Sequence, residues 1–292
     1  MVSSGINPAG GGAALLVLDA YTGTSIRTIE IVGGNGFTKC SPQILKGGED
    51  HTVSRVYGGD LSGNLWRIDP NSGTVVRLFA GTGQPFTTEP ELTLCNDKTT
   101  VFIGSGKFIE ASDMTDKMGQ TFYGLVDDYE ANGTLVAPKT LLQALSVSGS
   151  AVSATTSGGS SLGWYLDLPD VPASGGAERV AMVDPTLEGN ILTFATNVPE
   201  SGVCLASGKG KLYQLPIRTC GANDKNPPVA AGTVTSLGNK LVVGMQRIKL
   251  PDGSIKILVT GSDGTLTTSS SGQQITPPFA ARRVSWRELI RD

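Results

Sequence analysis

The sequence predicts an all-β fold, and three observations carry that prediction. Glycine is abundant, with 39 among 292 residues, roughly twice its usual share of about 7%. Charged residues are sparse at 17%, against about 25% in an average soluble domain. A short strand–turn–strand unit also recurs along the chain. Glycine costs about 1 kcal/mol at each interior helix position, so this composition opposes a helical bundle and suits short strands joined by tight turns.

The first unit is the apolar run Ala13–Leu18, the turn Asp19-Ala-Tyr-Thr-Gly23, and Ser25–Val32, which alternates apolar and polar residues as a half-buried strand does. The second is Val56–Ile68, read as two strands around a Gly63-Asn64 turn, followed by Asp69-Pro-Asn-Ser-Gly73 and the strand Thr74–Phe79. The pattern Leu/Ile-Asp-x-x-Thr/Ser-Gly thus appears at 18–23 and 68–73, 50 residues apart. Leu215-Pro-Ile-Arg-Thr-Cys-Gly221 is a looser copy, and Lys256–Leu266 is a further strand–turn–strand unit. Repeats of about 40–50 residues made of short strands indicate propeller blades, each of which must stack on neighbours to bury its faces. About four units are traceable, in a chain with length for about six. The repeats therefore predict an all-β propeller with long loops, in one domain over residues 1–292. The loops are 111–120, 146–162, 170–179 and 221–231, rich in Gly, Ser, Asp and Pro; 146–162 is low in complexity. Thr140–Leu145 has the pattern of a single helical turn, and Ser285–Ile290 that of a strand or short helix.

Several function classes are excluded or disfavoured. Net charge is −3, which attracts neither nucleic acid nor an anionic membrane. No apolar run approaches the roughly 18 residues that span a bilayer, so no direct membrane insertion is expected. The first twelve residues lack the basic and apolar regions of a secretory signal, so the chain is either cytoplasmic or part of a longer exported one. Cys40, Cys95, Cys204 and Cys220 form no Cys-x-x-Cys and none lies near His51, the one histidine, so structural zinc and c-type haem lack their ligand patterns. Four separated cysteines permit two disulfides in an oxidising compartment; a Cys204–Cys220 bond would close a hairpin around Lys209-Gly210, and the alternative is four small buried residues. A catalytic triad would have to use His51, which sits in the polar run Gly47–Thr52 and reads as an exposed turn. Gly81-Thr-Gly-Gln and Gly104-Ser-Gly-Lys are too short for a phosphate loop and read as strand-end turns. Asp60, Asp69, Asp127 and Asp263 stand beside glycine-bearing turns and are expected to accept backbone hydrogen bonds there. Trp66, Trp164 and Trp286 are expected to pack between sheets rather than stack on a ligand. Asp113-Met-Thr-Asp116 reads as a solvated loop, with cation ligation as its rival. No catalytic residue and no cofactor are expected.

Several stretches resemble the C-terminal domain of the PilY family. They are Arg55-Val-Tyr-Gly-Gly-Asp-Leu-Ser-Gly-Asn-Leu-Trp-Arg-Ile-Asp69, Thr88-Glu-Pro-Glu-Leu92, Val101-Phe-Ile-Gly-Ser-Gly-Lys107, Gln120-Thr-Phe-Tyr-Gly124, Gly163-Trp-Tyr-Leu-Asp-Leu-Pro169, Glu178-Arg-Val180, Thr193-Phe-Ala-Thr-Asn-Val-Pro199 and Arg282-Arg-Val-Ser-Trp-Arg-Glu-Leu289. They fall in the family's order, and the resemblance extends from about residue 13 to the end. It implies a modified, partial β-propeller with quinoprotein-like blades, in a non-enzymatic protein exported to the periplasm and outer surface and associated with the type IV pilus tip (fimbrium). Its implied roles are pilus biogenesis with minor pilins, opposition to retraction, twitching motility, and adhesion to a surface or host receptor. It also implies a large N-terminal region beyond this chain, with Met1 at a fragment boundary. In the family an Asp-rich calcium loop precedes the Arg-Val-Tyr strand; the corresponding positions here are Lys46, Gly48, Asp50 and Ser54. Calcium needs six to eight oxygen ligands, and only Asp50, with Glu49 beside it, keeps a carboxylate. These two are the candidate metal ligands of a degenerate loop in which an ordinary solvated turn is the expected structure. Loops 111–120, 146–162 and 170–179 are the expected partner contacts. The alternatives are a quinoprotein-like dehydrogenase, disfavoured by three tryptophans in dissimilar contexts and no adjacent cysteines, and an outer-membrane assembly scaffold propeller.

Overall fold

The computed structural model describes residues 1–6, 12–44, 52–95, 98–127, 139–155, 162–200, 207–217 and 231–274. Among them are strands, turns, and two 3-10 turns at Ala111–Met114 and Lys139–Leu141, with no α-helix. The chain runs through five successive blade-like sheets. Blade 1 holds β1 (Val2–Ser3), β2 (Ala13–Leu18) and β3 (Ser25–Ile31). Blade 2 holds β4 (Cys40–Gln43), β5 (Arg55–Gly59), β6 (Leu65–Ile68) and β7 (Val75–Phe79) as a four-stranded meander. Blade 3 holds β8 (Glu91–Cys95), β9 (Lys98–Gly104) and β10 (Thr121–Asp127). A hairpin of β11 (Gln143–Ser148) and β12 (Ala151–Ala154) follows, and then β13 (Gly163–Asp167) pairs with β10 to complete blade 3. Blade 4 holds β14 (Arg179–Val180), β15 (Thr186–Glu188), β16 (Ile191–Glu200), β17 (Ser207–Pro216) and β18 (Gly232–Ser236). Blade 5 holds β19 (Val242–Lys249), β20 (Ser254–Gly261) and β21 (Leu266–Gln274).

The recurring Asp-x-x-Thr/Ser-Gly signature is one hydrogen-bonded turn built twice. Asp19 Oδ1 accepts from the backbone N–H of Tyr21 and Thr22 at 3.0 and 2.7 Å; Asp69 Oδ1 does the same for Asn71 and Ser72 at 2.8 and 3.1 Å. The closing glycines have φ of 70° and 82°, a left-handed conformation that side-chain-bearing residues adopt at a cost. Arg27 of blade 1 donates to the carbonyls of Pro70, Asn71 and Ser72 in the second copy, so equivalent turns of adjacent blades are tied together.

Between five sheets lie four apolar cores. Ile29, Ile31, Phe37, Val56 and Trp66 fill the space between blades 1 and 2, and Tyr57, Phe79, Phe86, Ile103 and Tyr123 that between blades 2 and 3. Phe102, Phe122, Trp164, Phe194 and Tyr213 join blades 3 and 4, and Ala195, Leu212, Val242, Ile257 and Val259 join blades 4 and 5. Trp66 and Trp164 are both buried between sheets, as their sequence context predicts; Trp286 lies outside the described residues. The blades approach closely where Gly58 and Gly59 replace larger residues: a Cβ on Gly58 would meet the Phe37 ring at 2.4 Å, and one on Gly59 would meet Phe86 Cβ at 2.4 Å.

Three expectations need correction. Segment 146–162 is not a loop throughout: it contributes to the β11–β12 hairpin, turned at Gly149, with only 149, 150, 155 and 162 outside strands among the residues described. Strand β11 pairs parallel with β13, and β12 pairs antiparallel with β18, so the hairpin joins the outer strands of blades 3 and 4 into one eleven-stranded sheet. Lys209-Gly210 is not a turn either; both residues lie within β17, opposite Val198 and Asn197. Finally, blade 3 is a unit that the repeat signature misses, because it lacks the Asp-x-x-Thr/Ser-Gly turn and its last strand follows the inserted hairpin.

Candidate functional site

Asp50 and Glu49, the candidate metal ligands, lie outside the described residues, as do Lys46, Gly48 and His51. The same holds for Cys204, Cys220, segment 282–289 and loop residues 221–230, so the Cys204–Cys220 pairing falls outside the described structure. Cys40 is half-buried and carries a free thiol; burial, reinforced by Glu89, pushes it up to about 11.

Two of the three loops expected to face partners, 111–120 and 170–179, are held together, and Arg179 is the reason. Its guanidinium is buried at the start of β14 and donates to the carbonyls of Lys107 at 2.7 Å, Asp116 at 2.8 Å and Ala177 at 3.2 Å. Burial lowers its pKa, and the charges of Asp116 and Asp113 oppose that shift. Loop 111–120 is thereby clamped to loop 170–179. Ala177 N–H adds a bond to the Asp116 carbonyl at 2.8 Å, and Lys117 donates to the carbonyl of Pro172. The Asp113-Met-Thr-Asp116 stretch is not a solvated loop, since Asp113 is buried and accepts from the N–H groups of Ile109 and Glu110, both at 2.8 Å, with Lys107 Nζ at 3.3 Å. Burial would raise the Asp113 pKa, but those backbone bonds and Lys107 outweigh it and hold the carboxyl below its ordinary value. No group of three His, Cys, Asp or Glu side chains placed to hold a metal occurs among the described residues.

Next to Arg179, Glu178 has no exposed surface and anchors a second cluster. It accepts from Thr196 Oγ1 at 2.6 Å, Tyr213 hydroxyl at 2.8 Å, Lys211 Nζ at 2.9 Å and Asp170 N–H at 3.2 Å. Lys211 also donates to Asp170 Oδ2 at 2.8 Å. Burial pushes the Lys211 ammonium toward neutrality, but its bonds to Asp170 and Glu178 outweigh this and keep it charged. Burial and the Glu178 charge push the Tyr213 hydroxyl the other way, above its ordinary range. Above this cluster a cavity of about 450 Å³ opens, lined by Val147, Gly149, Ser150, Pro169, Asp170, Lys211, Val234 and Ser236. It forms between Pro169-Asp170 and the β11–β12 turn, which Val234 N–H of β18 holds through the Ser150 carbonyl at 2.8 Å. The site is thus built by loop 170–179 together with the hairpin turn inside 146–162.

Other buried polar residues cap turns, as Asp60 is expected to do, or join blades. Asp60, wholly buried, accepts from Ser62 and Asn64 N–H, Asn64 Nδ2 and Trp66 Nε1 at 2.8–2.9 Å. Asp69 and Asp263 cap turns as expected. Asp127 does not: it accepts from Tyr57 hydroxyl at 2.8 Å and from Arg67 at 2.6 Å, with Arg55 at 3.8 Å, and so ties blade 3 to blade 2. Asn197 exchanges two bonds with the Val242 backbone, at 3.0 and 2.7 Å, and ties blade 4 to blade 5. Sequence reasoning missed Glu178, Lys211 and Asn197 as a working set, because their partners are brought together only by blade stacking.

Residues 2–77 match the family model of the PilY1 beta-propeller domain. A type IV pilus biogenesis factor PilY1 homolog of Xylella fastidiosa is 27% identical over all of this chain and 25% of its own length. A second homolog of that organism is 29% identical over 81% of this chain and 19% of its own length. The type IV pilus biogenesis factor PilY1 of Pseudomonas aeruginosa is 30% identical over 39% of this chain and 13% of its own. The chain therefore spans a quarter or less of the length of these relatives. A crystal structure of the computationally designed Ika8 protein, at 14% identity over 93% of this chain and 72% of its own, reaches a TM-score of 0.35, too low to bear on the fold. The all-β blade architecture and these matches agree: the chain is similar to PilY1 proteins, and its residues 2–77 match their beta-propeller domain.

Proposed function

We propose that this chain is a non-enzymatic module of a type IV pilus biogenesis factor. It works as a rigid scaffold that presents a clamped loop cluster to protein partners. The observation that carries the reading is the match of the whole chain to a quarter of the length of a PilY1 homolog. It is supported by the way the buried polar residues are used. Asp60, Asp127, Arg179 and Asn197 are satisfied by the protein itself and hold blades and loops in place, which leaves none of them poised for chemistry. Rigid scaffolds that carry function on loops are common. The partners are minor pilins at the pilus tip, with a surface or host receptor as a further contact. The roles are assembly, opposition to retraction, twitching and adhesion, at the periplasm and outer surface. Removing the gene should reduce surface pili and twitching, measured by shearing and counting pili and by colony spread. Normal pili and normal twitching in the deletion strain would overturn the reading.

A further inference from the structure

We propose that the cavity above Glu178, Lys211 and Asp170 binds a basic side chain, a lysine ammonium or arginine guanidinium presented by a protein partner. This deepens the scaffold reading and rests on it for the nature of the partner. The sign of the charge comes from the floor. Two carboxylates flank one ammonium, at 2.9 Å for Glu178 and 2.8 Å for Asp170, which leaves an excess of one negative charge. Glu178 is spent, since it is wholly buried and accepts four bonds. Asp170 is not: its side chain is 45% exposed and Lys211 engages Oδ2. Its Oδ1 takes no hydrogen bond among the described residues, and Asp170 lines the cavity. An incoming anion would have to displace Asp170 from Lys211, whereas a cation meets a carboxylate already held in position.

The walls suit the stem of such a side chain. Val147, Pro169 and Val234 supply apolar surface, and long basic side chains lay their methylenes along such walls while the charged head reaches a polar end. Ser150 and Ser236 add hydroxyls at the rim. The cavity, about 450 Å³, is toward the small end of ligand sites, which run from about 300 to 1,000 Å³. It holds one side chain with water, and low-dielectric walls strengthen the attraction of Asp170 for a cation relative to open solvent.

The whole chain, labelled with ¹⁵N, is titrated with N-acetyl-arginine methylamide and N-acetyl-lysine methylamide, and amide shifts are followed by NMR. N-acetyl-norleucine methylamide, which has the stem without the charge, and N-acetyl-glutamate are the controls. Saturable shifts at Gly149, Ser150 and Asp170 are expected with the two cations alone. In Asp170→Asn the affinity should fall by about tenfold or more, with a thermal midpoint close to wild type because Glu178 still holds Lys211. Equal binding of norleucine, tighter binding of glutamate, unchanged cation affinity in Asp170→Asn, or no saturable shift with either cation would overturn the assignment. Such a failure is separable from failure of the pilus reading, which is judged by piliation of the deletion strain.

Discussion

Glu91 carries the clearest pH signature at the residue scale. It sits in β8, where burial and, after it, the charge of Glu89 push its carboxyl up to about 7, while the Leu187 N–H and Arg247 pull the other way. A carboxyl raised in the folded state from 4.5 to about 7 contributes stability that is complete below about 4.5 and lost as pH rises through 7. The thermal midpoint of wild type should therefore carry a falling component between pH 5 and 8 that Glu91→Gln removes. The variant should melt higher than wild type at pH 8 and close to it at pH 5; equal midpoints at both pH values would contradict the placement of Glu91. Legibility at this scale depended on distance along the chain. Asp69 and Asp263 bond residues two or three positions on, so a local pattern announces their role. Asp127 meets Tyr57 and Arg67 across 70 and 60 residues, and Glu178 meets Tyr213 across 35. No local rule reads those partners, which is why Asp127 looked like a turn residue and Glu178 like a bare identity within a family stretch.

Elements were legible where alternation and turn chemistry agreed. β2 with its Asp19 turn, and β5 to β7 with the Gly63 and Asp69 turns, fall where the pattern places them. The β11–β12 hairpin shows the opposite case. Its residues are mostly Ser and Ala, with Leu145 and Val152 as the buried apolar anchors, so composition alone reads as loop. It is strand because β13 and β18 offer unpaired edges on either side of it, a tertiary cause absent from any local window. In blade 2 the Gly58-Gly59 pair and Trp66 act as one device: glycines let Phe37 and Phe86 approach, while the Trp66 ring fills the space between blades 1 and 2 and its N–H satisfies Asp60 at 2.9 Å. Trp66→Ala removes both packing and that donor. It should cost about 3–5 kcal/mol of unfolding free energy, read as a lower denaturant midpoint with a similar slope. A midpoint equal to wild type would mean that Trp66 does not bridge the blades.

At the scale of the whole molecule, each inner blade is covered on both faces and each end blade on one. The free face of blade 5 mixes Gln246, Lys256, Thr260, Thr268 and Ser270 with Ile248, Leu258 and Leu266. The free face of blade 1 carries Thr28 and Glu30 opposite Leu16 and Ala14. Val2 and Leu16 are paired there beside Ala14, and Ile26 is 66% exposed at the bulge between β2 and β3. A sheet face of that character is stable when a second sheet covers it, and further blades belonging to the same propeller are what we propose as its cover in the intact protein. Exposed apolar faces also drive association. The chain by itself should therefore self-associate with rising concentration in sedimentation velocity, and Leu16→Lys with Ile26→Lys should leave it monomeric. Both side chains point away from the core between blades 1 and 2, so the double variant should keep a thermal midpoint near that of dilute wild type. A wild-type chain that stays monomeric at high concentration, or a double variant that associates as strongly as wild type, would show that blade 1 needs no cover and that five blades are a complete stack.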